Sequence, residues 1–120
     1  MGSIDLDAIR GIVDELPGSV EGTWYGAPAF RVNGRVFARI DVNDGDLLVI
    51  RAGRLYRDAF STRNDERFGL TGHPPEHETS VVVRLSRTTA KDVDEVEELL
   101  AEAWQLAVDA RLSKSGREQI

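Results

Sequence analysis

Cysteine is absent from this 120-residue chain. Its absence excludes disulfide bonds, thiolate metal sites and cysteine nucleophiles, and it fits a reducing compartment. The chain also lacks any apolar run near the ~20 residues that a membrane-spanning helix needs. Asp5 and Asp7 stand where a secretory signal would carry a basic flank. We therefore expect a cytoplasmic protein with no membrane partner.

Histidine is nearly as scarce, because only His73 and His77 occur. Together with Glu76 they match H-x-x-E-H, an inverted zinc-protease motif that works on a continuous helix. Pro74 and Pro75 lie inside the motif and break a helix there, so the segment predicts an exposed loop and no metal site. The chain also contains no G-x-S-x-G, phosphate-loop or dinucleotide-binding motif. These absences favour a protein that is not an enzyme and needs no cofactor.

Basic residues are outnumbered by acidic ones, 15 to 21, and the formal net charge is −6. A mean charge of this sign repels nucleic acids and anionic lipids. The charge is unevenly placed, since residues 31–67 hold eight arginines and six acids, whereas residues 92–109 hold seven acids and no base. The middle of the chain is therefore mildly basic on an otherwise acidic protein.

Length and periodicity predict one domain over residues 1–120, with a core over about 4–112 and a polar C-terminal tail. Apolar residues at helical spacing predict a first helix over Asp5–Leu16, which Pro17 and Gly18 end. Residues 19–28 are rich in glycine and contain a proline, and we interpret them as a connector.

The clearest local signal is a β-hairpin that turns at Asn33–Gly34. Both central residues of a type I′ turn need positive φ, which Asn and Gly tolerate best. Strand-like runs over Ala29–Val32 and Arg35–Val42 flank this turn. The hairpin therefore anchors the predicted antiparallel sheet.

A regular two-residue loop would pair Phe30 with Phe37 across the hairpin. One face would then carry Phe30, Val32, Arg35, Phe37 and Arg39. The other would carry Ala29, Arg31, Val36, Ala38 and Ile40. Both faces are mixed, and we expect the Phe30/Phe37 face to be the core because an aromatic cross-strand pair packs well.

The rest of the chain predicts a short antiparallel meander followed by helical and strand segments. In chain order they are a turn at Asn43–Asp46, a strand at Leu47–Ala52, a short helix at Arg54–Phe60, a helical turn at Asn64–Phe68, an edge strand at Arg67–Thr71, a central strand at Ser80–Ser86 and a final helix from Asp92 to about Asp109. The inward stripe of that final helix is expected to be Val93, Val96, Leu99/Leu100, Ala103/Trp104 and Ala107.

Two groups of residues are candidates for binding. Arginine pairs bidentately with phosphate oxygens, so the arginines on and after the hairpin are candidates for nucleic-acid contact. They are Arg31, Arg35, Arg39, Arg51, Arg54 and Arg57. The alternative is that they only keep an exposed strand soluble. The aromatic cluster of Trp24, Tyr25 and Phe30 either lines a ligand or partner pocket or packs the connector against the first helix.

Several motifs, taken in order, resemble those of the MmcQ/YjbR family. They are Leu16-Pro17-Gly18, Glu21-Gly22, Tyr25 to Val32, Gly34-Arg35, Phe37-Ala38-Arg39, Glu66-Arg67-Phe68, Val81 to Leu85 and Leu99 to Trp104. The resemblance covers about residues 6–112 and implies an α+β fold of order α-β(3)-α-β(2)-α. This is a two-layer α/β sandwich, similar to type III secretion chaperones, with helices on one face of an antiparallel sheet.

The same resemblance implies a bacterial protein of a family commonly labelled DNA-binding, because its hairpins resemble a double wing. It brings no catalytic residues. Two functions therefore stay open. The first is DNA binding through the arginines, and the second is a non-enzymatic protein- or small-molecule-binding module that uses the sheet face for a ligand, a protein partner or a homodimer.

Overall fold

The computed structural model describes residues 3–52, 66–70 and 79–118. They form a six-stranded antiparallel sheet with two helices packed against one face, which confirms the predicted α+β class. The elements are α1 (Leu6–Asp14), β1 (Val20–Trp24), β2 (Ala27–Val32), β3 (Arg35–Ile40), β4 (Leu47–Ala52), β5 (Phe68–Leu70), β6 (Thr79–Arg84) and α2 (Val93–Glu118). Across the sheet the strand order is β1-β2-β3-β4-β6-β5.

The first helix lies within the predicted Asp5–Leu16 and ends at Asp14, two residues before the predicted end. The side chain of Asp5 caps α1 by accepting a hydrogen bond from the backbone N–H of Ala8 at 2.9 Å. Ile9 and Val13, one helical turn apart, are buried against the sheet. Gly18 follows with φ +77°, a conformation that glycine adopts without steric cost.

The second helix covers the same face of the sheet. Thr89 and Asp92 form a reciprocal capping box just before it, so two backbone N–H groups at its start are satisfied. Its buried residues are Val96, Leu99, Leu100, Ala103 and Ala107, all within the predicted stripe. The helix continues to Glu118, nine residues past the predicted end at Asp109.

Residues 19–28 are not a connector, which corrects the sequence-based interpretation. Val20–Trp24 is a strand, β1, that pairs antiparallel with β2 at the edge of the sheet. Most of its residues are exposed, so it lacks the alternation of apolar and polar residues that marks a half-buried strand. The described residues before position 53 therefore contain four strands, one more than the predicted three.

The predicted hairpin at Asn33–Gly34 is confirmed. The two turn residues have φ of +53° and +80°, and Val32 pairs with Arg35 on either side of them. A second two-residue turn, which the sequence reading missed, joins β1 to β2 at Tyr25–Gly26, where φ is +50° and +85°. Both turns have positive φ at both central residues, as a type I′ turn requires.

The expected pairing of Phe30 with Phe37 is wrong because β3 contains a bulge. Arg31 pairs with Val36, but the next residue of β2, Phe30, pairs with Ala38. Phe37 is the extra residue between these pairs, and it is buried together with Ala38. One inserted residue changes which side of the sheet the following side chains face.

The later strands follow the sequence closely. β4 has the predicted bounds, and β5 is an edge strand as predicted for Arg67–Thr71. Phe68 begins β5 and does not end a helical turn. The helix predicted at Arg54–Phe60 and the loop that contains His73 and His77 lie outside the described residues.

Membrane crossing requires a long apolar helix. Within the described part of the chain, neither α1 nor α2 contains an apolar stretch of the necessary length.

Candidate functional site

The bulge in β3 decides which side chains share the helix-free face of the sheet. Beyond the bulge, Ala38 and Ile40 turn inward to the core that α1 and α2 cover. Arg39 consequently faces the opposite side, in register with Ala29 on β2 and Val49 on β4. The face without helices is called the open face below.

A concavity of about 440 Å³ lies on this open face. Four arginines line it. Arg31, Arg39 and Arg51 belong to the open face, whereas Arg35 lies at the turn end of β3, where its pairing with the buried Val32 puts it in register with the helix-covered face. The rest of its lining consists of Trp24, Gly34, Val36, Phe37, Val49 and Ser80. Among the described residues, those that line this arginine concavity include no acid. The lining therefore combines arginine side chains with apolar residues.

Arg31 is held across the edge strand by contacts with β1. Its Nη2 donates a hydrogen bond to the carbonyl oxygen of Thr23 at 3.1 Å. The guanidinium lies over Gly22, where a Cβ would stand only 3.1 Å from Nη1. Because Gly22 has no side chain, the guanidinium of Arg31 can lie over it.

Arg39 and Arg35 differ in how they are compensated. Arg39 is 3.8 Å from a carboxylate oxygen of Asp41, a loose contact between two partly exposed side chains. Such a pair contributes little to stability, because solvent screens it. Arg35 has no carboxylate within ion-pair distance among the described residues. Neither Arg31 nor Arg35 therefore has a described carboxylate that would compete with a bound anion.

Three arginines outside the concavity face carboxylates directly. Arg10 of α1 holds Glu21 of β1 through two nitrogen–oxygen contacts of 2.9 Å, and these hydrogen bonds raise the pKa of the guanidinium. Arg67 pairs with the buried Asp92. Arg84 lies 3.5 Å from Asp44 and from Asp46. These three arginines are held by acids that lie outside the lining of the concavity.

Asp46 is a second organised carboxylate outside the concavity, besides Asp92. It accepts hydrogen bonds from the hydroxyl of Ser86 at 2.7 Å and from the backbone N–H of Ser86 at 2.8 Å. These bonds, the hydroxyl first, lower the pKa of Asp46, and the charge of Arg84 acts in the same direction. The cluster joins the start of β4 to the end of β6 and is structural.

The two aromatic side chains at the β1–β2 turn stand beside the arginine concavity. Trp24 lines the concavity and is 40% exposed, and Tyr25 is 82% exposed. Their ring centroids are 5.4 Å apart with an interplanar angle of 73°, an edge-to-face contact. Phe30, the third residue predicted for an aromatic pocket, is fully buried in the core under the helices and does not line the concavity.

The structure brings together four of the six predicted arginines. Arg54 and Arg57 lie outside the described residues. The sequence reading missed Val49 and Ser80 as part of the lining, although Val49 alternates with the buried Leu48 and Ile50 and so belongs to the opposite face. No local sequence signal indicates the bulge, so regular alternation wrongly predicts that Arg39 lies on the core face.

The open, arginine-lined sheet backed by two helices defines the class as a helix-covered antiparallel α+β domain. The YjbR family model matches residues 14–106, and the chain belongs to the YjbR family. The crystal structure of Deinococcus radiodurans protein DR2400, which has a DUF419 domain, is similar with a TM-score of 0.74. That similarity covers 99% of this chain and 88% of the other at 21% identity, so it describes the fold alone. No curated protein matches the chain.

Proposed function

We propose that this YjbR-family chain binds DNA through the arginine concavity on the open face. One observation carries the proposal: four arginines surround a single concavity whose described lining has no acid, on a chain with a net charge of −6. Guanidinium groups pair with phosphate oxygens in a bidentate geometry. A cationic site on an acidic body favours contact at one face and repels DNA elsewhere.

The proposed role is binding and not catalysis. The described residues contain no group of three or more histidine, aspartate and glutamate side chains suited to a metal ion. His73 and His77 lie outside the described part of the chain. That the protein is not an enzyme stays a prediction.

The first test is Arg31→Glu, measured by fluorescence anisotropy of a labelled DNA oligonucleotide over a salt series. Because Arg31 lines the concavity from the open face and its described partner is a carbonyl oxygen, we expect weaker binding to every sequence alike. The slope of log affinity against log salt should fall by about 1, the share of one phosphate contact.

The matched control is Arg87→Glu, which makes the same charge change at an exposed residue outside the concavity. We expect this variant to bind nearly as the parent does. Equal losses in the two variants would mean that only net charge matters. If neither the parent protein nor the variants bind any DNA at low salt, the proposal is wrong.

A second candidate function is supported by the size of the concavity. A volume of about 440 Å³ falls within the roughly 300–1,000 Å³ typical of small-molecule sites. A small phosphorylated or carboxylated molecule would satisfy the same arginines. A rise in melting temperature with a nucleoside monophosphate, together with no affinity for oligonucleotides, would select this function over DNA binding.

A further inference from the structure

We infer that the DNA bound on the open face is single-stranded, and that its bases stack on Trp24 and Tyr25 beside the arginines. This inference rests on the proposed function and specifies the form of DNA that the site takes. It depends on the aromatic side chains of the β1–β2 turn, whereas DNA binding as proposed above depends on the arginines.

Tyr25 occupies an unfavourable backbone conformation for an aromatic residue. Its φ of +50° places it at the first central position of a type I′ turn, where Asn, Asp or Gly is strongly preferred. The side chain recovers little in return, because 82% of it is exposed and its ring contact is with Trp24. Residues held in costly conformations concentrate at functional sites, so this outlier points to a role for the exposed ring.

Trp24 connects the turn to the arginine concavity. Its ring lines the concavity, whereas the neighbouring Thr23 accepts the hydrogen bond that anchors Arg31. An exposed aromatic pair and a guanidinium therefore lie next to each other on one surface. Because the two rings meet edge to face, they do not stack on each other, and the exposed ring of Tyr25 is open to a flat partner.

Only unpaired nucleotides present both groups that this surface fits. A single strand exposes base faces and phosphates in alternation, so bases can stack on aromatic rings while arginines hold the backbone. In a duplex the base faces are stacked inside and cannot reach Trp24 or Tyr25. A duplex is also too wide to enter a concavity of about 440 Å³, and it would meet only the rim.

The test compares three labelled probes of equal length by anisotropy at low salt: a single-stranded thymidine oligonucleotide, the same backbone with abasic sites, and a duplex. We expect the base-bearing single strand to bind most tightly. Trp24→Ala should weaken its binding roughly five- to a hundred-fold, the usual effect of removing one stacking platform. Its affinity for the abasic backbone should change little.

Tyr25→Asn is the second variant, chosen because it removes the ring while supplying a residue that the turn prefers. A lower affinity in this variant cannot be attributed to unfolding if its melting temperature is equal to or above that of the parent. Tyr25→Phe, which keeps the ring, should bind as the parent does.

The outcomes separate the two proposals. If the abasic backbone or the duplex binds as tightly as the single strand, the stacking inference is overturned and DNA binding by the arginines stands. If the single strand is preferred but Trp24→Ala and Tyr25→Asn leave its affinity unchanged, the inference is again overturned. If none of the probes binds, both proposals fail.

Discussion

A single glycine on β1 positions one of the four arginines in the concavity. Arg31 extends over Gly22 and donates to Thr23, so its guanidinium is oriented before any anion arrives. An arginine that is already ordered loses less side-chain entropy when it binds a phosphate. Gly22, which does not itself line the concavity, therefore determines where the guanidinium of Arg31 lies.

Gly22→Ala tests this arrangement. The added Cβ would stand 3.1 Å from Nη1 of Arg31, so the guanidinium must move and its bond to Thr23 weakens. Fold stability should stay the same or rise by up to about 1 kcal/mol, because alanine is less costly than glycine in a strand. DNA affinity should fall roughly threefold to tenfold. Thermal melting and fluorescence anisotropy, measured on one sample, test both expectations. An unchanged DNA affinity would contradict the role assigned to Gly22.

At the scale of elements, β4 and β6 are joined by the carboxylate of Asp46 as well as by their ladder. The side chain reaches Ser86, forty residues away in sequence, through two hydrogen bonds. Leu85 also donates its backbone N–H to the carbonyl oxygen of Asp46 at 2.9 Å. The bonds hold the start of one strand against the turn that follows the other.

Asp46 makes stability depend on pH in one direction. Its pKa in the folded protein lies below the ordinary value of 3.8, so the ionised form favours folding. This contribution is complete well above pH 3.8 and is lost as the pH falls from that value through the lower folded-state pKa. Asp46→Asn should cost about 1 kcal/mol at pH 7, and the difference from the parent should shrink below about pH 4.

Urea unfolding of parent and Asp46→Asn protein at several pH values measures this effect. Ser86→Ala is the companion variant, because it removes the hydroxyl that contributes most to the lowered pKa of Asp46. It should show the same pH trend at reduced size. A difference between parent and Asp46→Asn that stays constant down to pH 3 would be inconsistent with the assignment.

Comparison of the helices and strands with the sequence shows which of them could be predicted. The Asn33–Gly34 turn, β4 and the buried stripe of α2 were predictable, since turn chemistry and periodicity mark them directly. β1 was missed because an exposed edge strand has no apolar alternation. The concavity could be predicted only in part. Alternation in β4 places Val49 and Arg51 on the same face, but no sequence signal in β3 indicates a bulge.

At the scale of the whole molecule, the described residues place an arginine-lined concavity on one layer and an acidic helix face on the other. The concavity collects arginines on the open face, whereas α2, on the other side of the sheet, exposes Asp94, Glu98 and Glu102 at intervals of four residues. If DNA binds as proposed, the acidic helix should repel it at long range and the arginines should attract it at contact. Its association should then depend on which face approaches and on the salt concentration, which sets the range of the charges.

Neutralising the helix should speed association. The double variant Glu98→Gln/Glu102→Gln removes two negative charges without touching the concavity, and it also relieves like-charge repulsion along the helix. The association rate for single-stranded DNA should rise a few-fold at low ionic strength, where screening is weak. Stopped-flow anisotropy should show the rates of variant and parent converging at high salt, and a gap that persists there would count against a long-range effect.

The bulge at Phe37 has a consequence for comparing this chain with other sequences. In β3, Arg39 stays in register with Ala29 because the extra residue, Phe37, is left out of the pairing. A relative whose strand is one residue shorter at this point would keep the arginine on the same face. An alignment of the two must open its gap at Phe37, because a gap placed further along would match Arg39 to a buried position.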